Sequence, residues 1–506
     1  MDNIFGKNFV DGYVPDILEL LSNLSSDEVF TPPKIVNQIL DTLPSKIWND
    51  KSLKFLDPGC KSGVFLREIS KRLMKGLVKD FPEEGERRYH IFKNMLYGNA
   101  ITQLTSLISR RTLYYTKEPN QKNYSVVQFK DNDGNIRYKQ TDHLYENKKK
   151  CVYCNASLEE YDRAKKGRET HAYDFIHRNE IFKNMKFDVI IGNPPYQLGD
   201  GGFGASASPI YQKFIDQAKK MGARYVAMIV PARWYSGGKG LDEFRDEMMK
   251  DKRMKILVDY PDASECFPGV EIKGGVCYFL WDSEYNGKCK ISRYFNGEII
   301  STDERSLDEF PTFVRYNEAV PILRKVEKKN WGNIVNQISS RKPFGFATNF
   351  EEFSEKETSN SVFIYANKKQ GWVKRTKVKV NEDLINKFKI LIPKAGEGTP
   401  NFPNNIIGKP ILTKKNSVCT ETYIILGSYD KIADAEKFLS YVKTKLFRML
   451  LYLKKPTQDN PKNTFYYVPN LKIDKEWNDK KLNEYFDLTG DEIKFIDDHI
   501  KEMKWV

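Results

Sequence analysis

The segment from Phe187 to Tyr196 reads FDVIIGNPPY, a continuous apolar run followed at once by a polar, proline-containing turn. An unbroken run of this kind is typical of a strand buried on both faces, as strands are in a parallel sheet. A second such run, YVAMIV at 225–230, follows a helical pattern over 210–221. Strands that alternate with helices in this way predict a doubly wound α/β sheet.

The same alternation extends towards the amino terminus. A short strand over 53–57 runs into the turn of FLDPGCKSGVF (55–65), and helical spacing follows over 63–74. A second strand is predicted at 95–98 and a second helix at 101–110. Further upstream, the tripeptide TPP at 31–33 precedes apolar positions with helical spacing, and proline favours the first turn of a helix.

Two stretches break this rhythm. The stretch 117–170 is polar and rich in lysine, which predicts an insertion between sheet elements. From residue 287 onward the alternation is lost: 361–380 interleaves aromatic and basic residues at strand-like spacing, and 438–453 reads as one amphipathic helix. We therefore predict a first α/β domain over 1–286 and a separate α+β module over 287–506.

The composition restricts the class of protein. Of 506 residues, 40% are hydrophobic and 30% charged, a balance typical of soluble globular proteins. No apolar run approaches the ~18 residues of a membrane span, and the start does not read as a signal peptide, so we expect a cytoplasmic protein without a membrane partner. Lysine and arginine total 82 against 68 acidic residues, a net charge of +14 that favours a polyanionic partner. Reduced thiols are expected for its seven cysteines.

The turn Asn193-Pro194-Pro195-Tyr196 has a specific chemical logic. An exocyclic amine is a poor nucleophile because its lone pair is delocalised into the ring. An asparagine side-chain oxygen and the following backbone carbonyl can accept both amine hydrogens and free that lone pair for attack on a methyl sulfonium. The prolines stiffen the loop, and the aromatic residue can stack on a base taken out of a duplex. The alternative interpretation is a proline-rich turn after a buried strand.

Two further turns can bind a cofactor. In DPGCKSG, Asp57 ends a strand and Gly59 admits close approach of the backbone to a ligand, at the sheet edge where ligands bind in doubly wound folds. Thr31 stands at a helix start, where backbone N–H groups can bind a carboxylate. The alternatives are a tight turn between strand and helix for the first and an ordinary helix cap for the second.

These three motifs, in this order, resemble the γ-class amino-methyltransferases, and specifically the Eco57I-like adenine-N6 DNA methyltransferases of restriction-modification systems. TPP looks like the family's motif X, DPGCKSGVF like motif I and NPPY like motif IV, and the resemblance covers about 25–285. It implies a Rossmann-like methyltransferase sheet, S-adenosylmethionine as the cofactor, a flipped adenine in double-stranded DNA as the substrate, and a C-terminal target-recognition domain.

The resemblance also implies roles for single residues. The catalytic loop corresponds to Asn193, Pro194 and Tyr196. The residues that match cofactor-binding positions are Thr31, Asp57, Gly59, Asp174 and Phe175, the last two as motif III. The segment GVCYF at 275–279 looks like motif VIII, in which an aromatic residue packs against the flipped base. Tyr278 and Phe279 are the alternatives for that aromatic residue.

The sequence departs from the family pattern at two places. Lys61 stands where motif I usually has its second glycine. No acidic residue follows the second strand, where the family binds the cofactor's ribose, and Asn99 and Thr102 are the polar residues available there.

A cysteine pair in the insertion suggests a metal. Cys151 and Cys154 are followed by His171 and His177, a spacing close to that of Cys2His2 zinc sites. We predict a structural zinc held by Cys151, Cys154 and His171, with His177 as the less favoured ligand. The alternative is two cysteines in a surface insertion without metal.

Other functions remain compatible with the sequence. They are a DNA-binding specificity component with an inactive methylase fold, and a methyltransferase acting on RNA or protein; cytosine-N4 methylation is disfavoured because the motif begins with asparagine. No convincing nuclease segment is present, so a partner nuclease would be separately encoded. Basic and aromatic residues at 340–346 and 374–377 are candidate DNA contacts or simply a solvated face.

Overall fold

The computed structural model describes residues 29–121, 124–146, 149–158, 172–198, 208–238, 240–396, 402–455 and 458–503. The chain divides into two compact units, the first ending at Phe313 and the second beginning at Val314. Among the helices in these ranges, none combines the length and apolarity that crossing a bilayer requires.

The first unit contains one large sheet and a small hairpin. Its strands in chain order are β1 (Phe55–Cys60), β2 (Leu96–Ala100), β3 (Ile136–Arg137), β4 (Tyr145–Glu146), β5 (Lys150–Cys151), β6 (Val189–Gly192), β7 (Tyr225–Pro231), β8 (Met254–Tyr260), β9 (Val276–Asp282), β10 (Cys289–Phe295) and β11 (Glu298–Arg305). The sheet order is β11-β10-β8-β9-β7-β6-β1-β2-β3, and β4 pairs with β5 alone. This is the predicted Rossmann-like α/β sheet.

The order in which the chain adds strands to the sheet reverses at β1: β2 and β3 lie on one side of it, and β6 and β7 lie on the other. Strand β1 runs parallel to β2 on one side and to β6 on the other, with Phe55 opposite Val189 and Leu56 opposite Ile190. The carboxyl ends of β1 and β6 therefore open at the same edge, side by side. In a doubly wound sheet a ligand binds at this reversal point.

Helices cover both faces of the sheet. They are α1 (Pro33–Leu40), α2 (Val64–Gly76), α3 (Glu84–His90), α4 (Gln103–Tyr114), α5 (Asp174–His177), α6 (Tyr211–Lys220) and α7 (Asp242–Lys250). Apolar residues of α1, α2 and α4 pack in one core with Phe55 and Ile191, and those of α5, α6 and α7 pack in a second core with Leu56 and Ile190. Adjacent strand residues thus point to opposite cores, which explains why the buried strands read as unbroken apolar runs.

The boundary between the units lies further along the chain than the sequence predicted. Strand β10 pairs in parallel with β8, and β11 pairs antiparallel with β10. The large sheet therefore continues past residue 287, and the break comes at 313/314 instead of 286/287. The loss of the α/β rhythm reflects two extra edge strands rather than a new domain.

The second unit is α+β. Its strands are β12 (Ser361–Tyr365), β13 (Gln370–Lys374), β14 (Phe388–Pro393), β15 (Ile411–Leu412), β16 (Ser417–Cys419) and β17 (Tyr423–Tyr429), in the sheets β13-β12-β16 and β15-β14-β17. Its helices are α8 (Ala319–Lys328), α9 (Ile432–Lys443), α10 (Lys445–Tyr452), α11 (Asp479–Tyr485) and α12 (Gly490–His499). The strand-like spacing over 361–380 is confirmed by the β12–β13 hairpin.

The single helix predicted over 438–453 is in fact two. Thr444 adopts an extended conformation with ψ of 150°, and its side chain accepts a hydrogen bond from the backbone N–H of Phe447. A threonine hydroxyl that caps a new helix explains the break, because apolar spacing alone does not reveal it. In the basic and aromatic segment 340–346, Phe344 and Phe346 are buried in the core of this unit and do not form an exposed aromatic surface.

Candidate active site at the carboxyl ends of β1 and β6

The end of β1 packs directly against the end of β6 and the turn that follows β6. A Cβ atom on Gly59 would lie 3.2 Å from Cα of Pro194 and 3.3 Å from the carbonyl oxygen of Asn193. A Cβ atom on Gly192 would lie 2.5 Å from Oδ1 of Asp57, a contact too short for any side chain. The two sequence motifs therefore form one site, and glycine at both positions is what allows the close approach.

The amide of Asn193 is held in one orientation. Its Nδ2 donates to the carbonyl oxygen of Val29 at 2.9 Å and to Oγ1 of Thr31 at 3.0 Å. A carbonyl oxygen can only accept, so the NH2 group must face Val29 and Oδ1 must face the other way. The side chain is 4% exposed, and Oδ1 is a buried acceptor without a hydrogen-bond partner among the described residues.

Asp57 is a buried carboxyl group at the same edge. Its Oδ1 accepts a hydrogen bond from the backbone N–H of Gly59 at 3.2 Å. Burial raises the pKa of Asp57 to about 7, although the Gly59 N–H and the positive charge of Lys61 both act to lower it. A cationic ligand beside this carboxyl group would restore its ionised form.

Lys61 places a cation between the two turns. Its ammonium donates to the carbonyl oxygen of Val29 at 3.1 Å and lies 5.8 Å from the centre of the Tyr196 ring. The side chain is 7% exposed. Lys61, which stands where the family's motif I usually has a glycine, thus places a buried positive charge within the site.

Tyr196 is the last residue of the turn that follows β6. Its ring packs against the core that includes Tyr278, while its hydroxyl oxygen is buried and has no hydrogen-bond partner in the described part of the chain. Burial raises the pKa of Tyr196 well above its ordinary value, so the phenol stays neutral.

Comparisons with known proteins identify the family of this chain. A family model described as Eco57I restriction-modification methylase matches residues 94–267. A protein of Mycoplasma pneumoniae named as an uncharacterized adenine-specific methylase is 36% identical over 354 residues, which cover 64% of this chain and 83% of the relative. The chain belongs to the Eco57I family of restriction-modification methylases.

Solved structures of restriction-modification enzymes also align with this methylase. The Type IIL enzyme MmeI, solved in complex with DNA, is 14% identical with a TM-score of 0.45; the alignment covers 92% of this chain and 69% of MmeI. A nuclease-deletion mutant of the Type ISP enzyme LlaGI, solved with a DNA substrate mimic, is 12% identical with a TM-score of 0.47, covering 89% of this chain and 47% of LlaGI. The methylase therefore spans about half the length of the LlaGI chain.

The motif III residues lie on the short helix α5. The carboxylate of Asp174 accepts hydrogen bonds from the backbone N–H groups of Glu180 and Ile181 at 3.1 and 3.2 Å, and burial raises its pKa. Phe175 is 1% exposed and stacks on Phe214 with ring centres 5.6 Å apart. Asp174 thus caps the turn that follows α5, and Phe175 belongs to the core behind the sheet; cofactor contacts by either residue stay predictions.

The two motif VIII aromatics lie on opposite faces of β9. Tyr278 packs in the same core as Tyr196, whereas Phe279 packs in the core on the other face. Both are buried, at 3% and 0% exposure. Since successive strand residues point to opposite faces, Tyr278 is the one that shares a side of the sheet with the catalytic turn.

The polar residues after β2 differ in what they can offer a ribose. Thr102 is occupied as the N-cap of α4, where its side chain accepts from the backbone N–H of Thr105. Asn99 is 3% exposed, and its side chain lies beside the carboxyl group of Asp174, where it acts to lower the pKa of that group. A contact between either residue and the ribose stays a prediction.

The cysteine pair of the insertion lies beside two histidines. Cys151 and Cys154 cluster with His143 and His177. His171 lies outside the described residues. The sequence reasoning missed His143, although it precedes the CxxC pair by eight residues; no sequence signal pointed to the Val29 carbonyl oxygen, because a backbone atom contributes it.

Proposed function

We propose that this chain transfers a methyl group from S-adenosylmethionine to the exocyclic N6 amine of adenine in double-stranded DNA. One observation carries the proposal: Asn193 is anchored through Nδ2 to Val29 and Thr31, which leaves Oδ1 as a buried acceptor without a partner. Leaving a buried acceptor unsatisfied costs about 1–3 kcal/mol, so this oxygen is suited to accept a hydrogen from a bound amine. In the proposed complex the amine of the substrate is the donor.

The catalytic turn acts by positioning the amine. Asn193 Oδ1 accepts one amine hydrogen and the Pro194 carbonyl accepts the other, so the nitrogen lone pair is no longer drawn into the ring. Tyr196 stacks on the flipped adenine, and Tyr278 packs on the same side of the sheet. No covalent intermediate with the protein forms, and orientation with fixed dipoles supplies most of the rate acceleration.

The residues present fit the cofactor. S-adenosylmethionine supplies an electrophilic methyl group on a sulfonium. The buried carboxyl group of Asp57 matches the cofactor's ammonium group, and Gly59, two residues further on, packs against Asn193 and Pro194 and so keeps that carboxyl group next to the proposed catalytic turn. The start of α1 beside Thr31 would bind the carboxylate of the cofactor's methionine part. Asp174 and Phe175 would contact its adenosine part.

The partners follow from charge and from the relatives. A net charge of +14 favours a polyanion, and the names of MmeI and LlaGI describe restriction-modification enzymes solved with DNA or a DNA mimic. We assign target recognition to the second unit and place the protein in a restriction-modification or related defence system, beside a separately encoded nuclease. A structural zinc at the Cys151–Cys154 pair belongs to this proposal.

The experiment that tests this function is single-molecule sequencing of DNA from a methylation-deficient host that expresses the chain. We expect N6-methyladenine in one sequence context, its absence with Asn193→Ala, and its retention with Asn286→Ala, an exposed asparagine of the same unit. Near-normal methylation by Asn193→Ala would contradict the assigned role. If the wild-type chain modifies no base yet binds S-adenosylmethionine in calorimetry, the substrate is not DNA or a subunit is missing; without cofactor binding, the fold is inactive.

A further inference from the structure

Four metal-binding side chains from the insertion and from α5 converge on one point. They are His143, which precedes β4, Cys151 at the end of β5, Cys154 in the turn that follows, and His177 at the end of α5. Their ligand atoms all lie within 4.8 Å of one another, and Sγ of Cys154 is 3.3 Å from Nδ1 of His143. In tetrahedral zinc sites, bond lengths of 2.0–2.3 Å put ligand atoms about 3.3–3.8 Å apart.

The ring of His177 is oriented as a metal ligand. Its Nδ1 lies 2.8 Å from the carbonyl oxygen of Tyr173. Because that oxygen can only accept, Nδ1 carries the hydrogen, and Nε2 of the neutral ring has a free lone pair. His177 is 3% exposed and its Nε2 is buried without a hydrogen-bond partner in the described ranges. A backbone carbonyl that fixes the tautomer of a histidine is the usual support of a metal-bound imidazole.

We propose that His143, Cys151, Cys154 and His177 bind a structural Zn2+. Two thiolates and two imidazoles are a ligand set that zinc prefers, and four protein ligands leave no open position for a reacting water. Binding converts both thiols to thiolates and releases their protons to solvent. This ligand set replaces the one expected from spacing: His177 takes the place given to His171, and His143 completes the tetrahedron.

The local fold shows what a metal would add here. The β4–β5 hairpin has strands of two residues each, and the buried apolar residues that cluster around it in the described part of the chain are Cys151, Cys154, Ala156, Leu198 and Ile210, with three partly buried neighbours. A bound metal would add a further constraint to this small cluster. The metal bonds join the hairpin to α5 across the residues that separate them in sequence.

The site also has a consequence for the cofactor. Asp174 lies on α5 three residues before His177, so a zinc that holds His177 holds the helix that presents Asp174. This consequence rests on the proposed role of Asp174 in binding S-adenosylmethionine, whereas zinc binding itself does not. Removal of zinc should therefore weaken cofactor binding without changing the residues that contact the reacting amine.

The test is the metal content of the full-length protein, produced without a histidine tag in zinc-supplemented medium. We expect about one zinc per chain, retained after dialysis against a moderate chelator in wild type, His171→Ala and Cys289→Ser. His177→Ala and His143→Ala should lose most of their zinc under the same dialysis, and Cys151→Ser/Cys154→Ser should lose nearly all of it. The pair His171→Ala and His177→Ala separates the structural assignment from the spacing-based one.

Other results would overturn the proposal. These are wild-type protein with negligible zinc, a Cys151–Cys154 disulfide in protein purified under reducing conditions, or zinc retained by the double serine variant. Because the serine variants can fail to fold, the wild-type chain reconstituted with Co2+ provides a second readout: tetrahedral Cys2His2 coordination gives intense visible bands and thiolate charge-transfer absorption, and their absence contradicts the site. Zinc present with unaltered cofactor affinity after its removal would leave the metal site standing and refute only the link to Asp174.

Discussion

Thr31→Val separates two roles that the same residue can play. The sequence places Thr31 at a cofactor-binding position, whereas in the structure its Oγ1 accepts a hydrogen bond of 3.0 Å from Nδ2 of Asn193. Valine has nearly the same shape but no acceptor. The substitution leaves one N–H of a buried amide without a partner and keeps the bond to the Val29 carbonyl oxygen.

The magnitude follows from the lost hydrogen bond. A net contribution of about 1–2 kcal/mol to the orientation of Oδ1 corresponds to a fall in kcat of about 5–30-fold. Because the proposed mechanism has the anchored amide contact the target base and not the cofactor, KM for S-adenosylmethionine should stay within about 2-fold of wild type. The free energy of unfolding should fall by about 1–3 kcal/mol through the unsatisfied donor.

Steady-state kinetics with a methylatable duplex measures this, with Thr42→Val as the matched control at the end of α1, where the hydroxyl donates to the Ile39 carbonyl. In the Asn193→Ala background, Thr31→Val should lower the free energy of unfolding by less than it does in wild type, since both changes remove the same hydrogen bond. An unchanged kcat together with a raised KM for S-adenosylmethionine would refute the positioning role and would indicate that Thr31 binds the cofactor.

Two other predictions concern the charges of the site. Burial raises the pKa of Asp57 to about 7, so the folded protein favours the protonated carboxyl; stability should fall as pH rises from about 4 to about 7, by up to about 4 kcal/mol. Asp57→Asn should flatten this dependence in chemical denaturation at pH 5 and 8 while abolishing cofactor binding, and a pH dependence equal to wild type would contradict the assignment. Lys61→Met removes a charge that lowers the pKa of Asp57, so that pKa should rise further. Affinity for S-adenosylmethionine at pH 6.5 should then fall about 3–10-fold, with a smaller loss at pH 8, as calorimetry would measure; an equal loss at both pH values would show that Lys61 acts in another way.

The α/β fold and the place of the Asn193–Tyr196 turn after β6 were predictable because their causes are local. A strand buried on both faces must be apolar throughout, so FDVIIG and YVAMIV could be recognised without any partner strand. The same holds for Asn193, which directly follows β6, and for Asp57, which lies within β1. Local patterns were insufficient at Thr444, where one hydroxyl divides a predicted helix, and at β10 and β11, whose place at the sheet edge depends on pairing with β8.

The distinction between the candidate aromatics also required the structure. Tyr278 and Phe279 are adjacent and equally suitable by composition, and only the faces of β9 separate them. For the metal site, spacing identified Cys151 and Cys154, because those residues form a short turn. The histidines come from either side of that turn, and their selection depends on where α5 packs.

The order of the motifs therefore established the family, the reaction class and the residue expected to hold the amine, because each motif is a few consecutive residues at the end of a strand. The tertiary structure decided which way that residue points. The orientation of Asn193 depends on Val29 and Thr31, more than 160 residues away along the chain, and on a backbone carbonyl that any amino acid provides. Such a contact has no sequence signature, since it arises only when β1 and β6 lie side by side and bring the amino-terminal segment over their ends.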